Sequence, residues 1–171
     1  DDDAIGIAAP SANRFGRVSP TTTQHVLDEF NDVLDDTAAV LEGGAANVGV
    51  ESTIIDCTSD APVILRAGAI TQSDVERVTG LHVKAHSTVR APGTLASHYA
   101  PRARVIIATE HAEGDACTRE LNEARSVGLL ALAEIATPIG VVRLAAPSDA
   151  ASYAAALYAA LREADALELD T

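Results

Sequence analysis

The chain is poor in aromatic residues and contains no tryptophan or methionine: Phe, Trp and Tyr make up 3% of its 171 residues. A core without them rests on Ala, Val, Leu and Ile, which pack well but bury less area per residue. Lysine is almost absent too. Lys84 is the sole one among 12 basic residues, which face 25 acidic ones for a net charge of −13. No Lys/Arg run interrupts that excess, so nucleic-acid backbones and anionic membranes are repelled, and neither is expected as a direct partner. Cys57 and Cys117 lie outside any CxxC or Cys/His cluster. Such isolated thiols read as reduced and cytoplasmic. No apolar run approaches the ~20 residues of a membrane-spanning helix, and no basic-then-hydrophobic start suggests secretion. GxxxxGK[ST], GxGxxG and GxSxG are all missing, which removes the common nucleotide and hydrolase fingerprints. The chain opens on Asp1-Asp2-Asp3 without an initiator Met, which reads as a segment of a longer polypeptide.

A hydrophobic content of 47% with mean hydropathy +0.13 excludes a disordered protein. Ala4 to Ala9 reads as a buried strand ending at Pro10. Val26, Leu27, Phe30, Val33 and Leu34 fall on one face of a helix over Thr21 to Leu34, started by Pro20 and the Thr21 and Thr22 hydroxyls. Val48 to Cys57 is expected as a strand, paired with Val63 to Arg66 across a turn. Thr71 to Asp74 forms a capping box for a short helix that Gly80 stops. Leu81 to His86 is another expected strand, so His82 and His86, four apart, do not converge on a metal. Ser87 to Pro101 reads as a linker. Beyond it, strands at Arg104 to Thr109, Val127 to Leu132 and Gly140 to Leu144 alternate with helices at Ala116 to Arg125 and Asp149 to Leu167. That alternation indicates a small α/β unit with a largely parallel sheet.

Four polar motifs stand out from this core: Ala9 to Thr22 (APSANRFGRVSPTT), Val48 to Thr53 (VGVEST), Ile64 to Gly68 (ILRAG) and Ser97 to Arg102 (SHYAPR). Each sets hydroxyls, an amide or an arginine beside Gly or Pro, where backbone can bend around a ligand. Hydroxyls at the helix start can reach a phosphate or simply cap the helix. Arg14 and Arg17 suit either an anion or the surface. Glu51-Ser52-Thr53 breaks an apolar strand, which costs free energy unless partnered, whether by a pocket or by a satisfied edge. Arg66 at a strand end suits a bidentate anion contact or a structural salt bridge. His98-Tyr99 in the linker could form a lid. The motifs supply donors for a carboxylate and a polyphosphate, with no nucleophile, general base or metal cluster.

In order and spacing these motifs resemble the C-terminal half of a YrdC domain, followed by the linker of the two-domain, Sua-type L-threonylcarbamoyladenylate synthases. The resemblance is strong from Ala8 to Pro101 and looser beyond. It implies an α/β fold in three parts: the end of a twisted open-sheet YrdC-like domain (1–86), a linker with HYAP (87–103), and a truncated Rossmann-like α/β domain (104–171). The implied reaction joins L-threonine, bicarbonate and ATP into threonylcarbamoyl-AMP and pyrophosphate, for N6-threonylcarbamoyladenosine at position 37 of tRNA. By resemblance Ser11 and Ser52 contact threonine, while Asn13, Thr21, Arg66 and Tyr99 contact ATP. Mg²⁺ arrives with the ATP through phosphates and water. Downstream partners are the tRNA threonylcarbamoyl-transfer machinery. No residue is assigned as catalytic, because the chemistry needs positioned anions and charge stabilisation.

The chain departs from the family pattern at Ala67 and Val18, where proline is usual, and at Phe15, where a small residue is usual. The basic motif that grips the triphosphate belongs to the N-terminal half of such domains, so the segment alone is expected to be inactive. The alternatives are a hydrogenase-maturation carbamoyltransferase with a YrdC-like domain and a non-catalytic RNA-binding module. The missing zinc-finger-like cysteines weigh against the first and the charge against the second.

Overall fold

The computed structural model describes residues 11–84, 99–109 and 112–171. The expected strand at Ala4 to Ala9 and most of the linker, including His98, lie outside them. Among the described residues four helices and four short strands form an α/β arrangement with two separate two-stranded sheets.

Helix α1 (Thr23–Phe30) is capped by Thr22, whose hydroxyl accepts from the His25 N–H at 3.2 Å. It stops four residues short of the sequence expectation. Asp32 turns to pair with Arg14, Val33 is 62% exposed, and Asp35 accepts from the Thr37 backbone in a turn of its own. Short polar side chains of this kind compete with the helix for backbone partners.

Strands β1 (Ile54–Asp56) and β2 (Val63–Arg66) pair antiparallel with Ile55 opposite Ile64, as the pattern predicts. The expected strand from Val48, however, is ordered as strand only from Ile54. The Ser52 carbonyl accepts from Arg66 Nε at 2.9 Å, so a side chain takes an acceptor that a ladder would use. Leu81 to His86 reduces, among described residues, to one parallel bridge of Lys84 with Val63. Helix α2 (Gln72–Thr79) has the predicted capping box between Thr71 and Asp74, and Gly80 closes it at φ 70°.

In the second half, helix α3 (Glu113–Asn122) begins and ends three residues earlier than expected; Ala124 has turned to φ 58°. Strands β3 (Gly128–Leu130) and β4 (Val142–Ala145) form the predicted parallel pair. Cys117, Val127 and Leu129 make a small core beneath them, and Ala103, Ala164 and Leu169 a second. The β-branched run at Arg104 to Thr109 is not a strand. Its first N–H goes to the Asp170 carbonyl at 2.9 Å, and Ile107 is 92% exposed. Helix α4 (Ala150–Ala166) starts at a capping box between Asp149 and Ser152.

Glu120 on α3 is 2% exposed and is met by Arg104, Arg119 and Arg125. The hydrogen bond from Arg125, then that from Arg104, outweighs burial and holds its carboxyl at about 2, below the ordinary 4.5. A lowered folded-state value stabilises above the ordinary one and is lost as pH falls through the folded one. Glu120→Gln is therefore expected to lower Tm at neutral pH, with the gap to the native protein closing between pH 4.5 and about 2. Thermal unfolding across that range checks it; a gap independent of pH would contradict it.

Candidate functional site

The loop before α1, the Val48–Thr53 segment and helix α4 enclose a cavity of about 200 Å³. Its side chains include Ser11, Ser19, Thr21, Glu51 and Tyr158. Ser19 Oγ donates to Glu51 Oε1 at 2.6 Å. Thr21 is buried, and its backbone N–H donates to His25 Nδ1 at 3.2 Å. Burial, then the Arg162 charge, pushes the His25 imidazole below its ordinary value, which favours the neutral ring that accepts this bond. Burial first and the Glu51 charge second push the Tyr158 phenol up to about 12, so it stays protonated at neutral pH.

Beside the cavity, Arg66 organises the second cluster. Its Nη2 donates to Ser52 Oγ at 2.8 Å and lies 3.6 Å from Glu51 Oε2, while Nη1 donates to the Tyr99 hydroxyl at 3.2 Å. Arg66 thus forms a planar fork that ties the end of β2 to Ser52 and Tyr99. Tyr99 holds φ 57°, a left-handed backbone uncommon for an aromatic residue, and its ring stacks on Tyr158 with centroids 6.2 Å apart.

The structure therefore gathers Ser11 and Thr21 at one cavity and Ser52, Arg66 and Tyr99 at its flank, joined through Glu51 and Tyr158. Asn13 stands apart in part. Its Nδ2 donates to the carbonyls of Arg14 and Arg17 at 3.1 Å each, bracing the loop, and its Oδ1 lies 3.3 Å from Ser19 Oγ. Of the two ambiguous arginines, Arg14 pairs with Asp32 and Arg17 lies 3.9 Å from Asp165.

One glycine permits this geometry by closeness. A Cβ on Gly68 would lie 2.4 Å from the Glu51 carbonyl oxygen and from Thr53 N, so only glycine lets the ILRAG turn press on the segment carrying Ser52. Gly68→Ala is expected to destabilise the fold by about 1–3 kcal/mol, the usual cost of overpacking, because the Ser52 segment has to move. Thermal unfolding checks it.

Sequence reasoning missed the contribution of α4. Tyr158 lines the cavity, and Arg162 donates through Nη2 to the Val18 carbonyl at 2.7 Å and to Glu29 at 2.8 Å. They lie one turn apart in an Ala-rich helix, so both project from one face. Two large polar side chains at that spacing were the available signal.

Residues 70–171, well over half the chain, match the family model described as threonylcarbamoyl-AMP synthase, C-terminal domain. The chain belongs to the threonylcarbamoyl-AMP synthase family. Residues 2–68 match a second model, described as telomere recombination. Threonylcarbamoyl-AMP synthases of Pyrococcus abyssi and Bacillus subtilis are 41% and 38% identical over 59% and 62% of this chain, respectively. The matched regions are 31% and 32% of those proteins, so the chain spans about a third of the curated relatives it matches. The crystal structure of P. abyssi Sua5 complexed with L-threonine superposes with TM-score 0.77 at 31% identity, covering 95% of this chain and 50% of that one. A variant of that protein with a His and a Tyr replaced by Ala superposes with TM-score 0.75 at 30% identity, covering 95% of this chain and 49% of that one.

Proposed function

We infer that this chain forms part of an enzyme that joins L-threonine, bicarbonate and ATP into threonylcarbamoyl-AMP with release of pyrophosphate and water. The observation that carries the reading is the meeting of all four polar motifs, Ser11 and Thr21 with Ser52, Arg66 and Tyr99, at one site of a family member. The relative solved with L-threonine supports the amino acid as one substrate.

In this reading Ser11 and Ser52 hold threonine, and Asn13, Thr21, Arg66 and Tyr99 face ATP. The Arg66 fork can exchange a protein acceptor for a phosphate oxygen at small geometric cost, since its planar donors fit both. Tyr99 closes from the linker, and its hydrogen bond and stack fix that position. Such a site accelerates the reaction by holding amine, bicarbonate and α-phosphate in line and by stabilising charge, with no covalent step on the protein.

Among the described residues no three His, Cys, Asp or Glu side chains converge to hold a metal. In this reading Mg²⁺ would enter with ATP, held mainly through phosphates and water. The reading divides the chain into the end of a twisted open-sheet YrdC-like domain (1–86), a linker (87–103) and a Rossmann-like domain (104–171). It implies a cytoplasmic protein acting upstream of tRNA threonylcarbamoyl transfer.

The test is pyrophosphate release by the complete polypeptide carrying this chain, with each substrate omitted in turn. Release that requires threonine, bicarbonate and ATP together is expected. Release independent of threonine, or activity driven by carbamoyl phosphate, would overturn the reading.

A further inference from the structure

We propose that the Tyr158 hydroxyl donates a hydrogen bond to the carboxylate of the amino acid bound in the Ser11–Thr21–Glu51 cavity, which makes helix α4 part of the substrate site. The inference rests on the reading of threonine as a substrate and adds a residue from the second half of the chain.

The cavity, at about 200 Å³, is smaller than the roughly 300–1,000 Å³ typical of pockets for drug-sized ligands. An amino acid is of suitable size; the bulk of a nucleotide has to lie beyond it, toward Arg66 and Tyr99. The lining hydroxyls are not equivalent. Ser19 gives its proton to Glu51, and Thr21 Oγ1 lies 3.2 Å from His25 Nδ1. Ser11 and Tyr158 have no hydrogen-bond partner for their hydroxyls among the described residues, yet both line the cavity.

Two spare donors with one carboxylate, Glu51, complement the two ends of an amino acid, the donors suiting its carboxylate and the carboxylate suiting its amine. Tyr158 is half-buried with its ring stacked on Tyr99, so the phenol is positioned before ligand arrives. Gly49 allows this reach, because α4 lies against it where a Cβ would sit 2.1 Å from the Ala155 carbonyl oxygen.

Tyr158→Phe keeps the ring and its stack and removes only the hydroxyl. The experiment is calorimetric titration of the complete polypeptide, native and Tyr158→Phe, with threonine and with threoninamide, which lacks the carboxylate. A hydrogen bond to a charged group predicts about a tenfold loss of threonine affinity in the variant, with threoninamide affinity unchanged. Equal losses for both ligands, or no loss for either, would overturn the proposal while leaving threonine as a substrate. If the native protein binds no threonine, the substrate reading falls, and this inference with it.

Discussion

Replacing Arg66 with alanine is expected to lower kcat/KM for threonine-dependent pyrophosphate release by about 100-fold or more, the loss that follows when one partner of a largely desolvated, hydrogen-bonded charge cluster is truncated. The reason is the number of groups that one guanidinium holds. It bonds the Ser52 carbonyl at 2.9 Å, the Ser52 hydroxyl at 2.8 Å and the Tyr99 hydroxyl at 3.2 Å, and it balances Glu51 at 3.6 Å. Alanine leaves Glu51 without its counter-charge and lets Ser52 and Tyr99 drift from the positions the fork enforces. Arg66→Lys should recover little, because an ammonium cannot present a planar fork to a carbonyl, a hydroxyl and a phenol together. Steady-state kinetics of both variants check this; near-native activity in Arg66→Lys would mean that only charge matters at this position.

The second large effect is expected at Gly49, a residue with no chemistry of its own. An added Cβ would sit 2.1 Å from the Ala155 carbonyl oxygen and 2.6 Å from that of Ala154. Rigid helix backbone cannot yield as a side chain would, so Gly49→Ala has to push α4 off the VGVEST segment. Tyr158 and Arg162 leave with it, the first losing the cavity and the second its bonds to Val18 and Glu29. The expected result is a fall in stability of about 1–3 kcal/mol, the scale of overpacking, together with weakened threonine binding. Thermal unfolding and calorimetry measure the two, and native values for both would contradict the role assigned to α4.

How much of this was legible in the sequence depended on whether the deciding interaction was local. Helix α2 matched to the residue, because Thr71, Asp74 and Gly80 act within one turn of themselves. The β1–β2 pair and the parallel β3–β4 pair followed from β-branched runs with a nearby partner. The failures are tertiary. Val48 to Thr53 looks like a strand, but Arg66 occupies the Ser52 carbonyl and α4 leans on Gly49. Arg104 to Thr109 has strand composition but gives its first N–H to the carbonyl of Asp170, more than sixty residues on. Glu120 resembles any surface acid of a helix until Arg104 and Arg125, each from outside α3, meet it. At the site, motif chemistry singled out Ser11, Thr21, Ser52, Arg66 and Tyr99, which the fold brings together. It could not foresee Tyr158, which reaches them from over a hundred residues beyond Ser52.

The most direct test of the account follows the carbon of labelled bicarbonate through the complete polypeptide in the presence of threonine and ATP. The account predicts a product that carries the labelled carbon, threonine and AMP in equal proportion, formed with one pyrophosphate for each. Label that appears without threonine, or pyrophosphate released with no labelled adenylate, would contradict it.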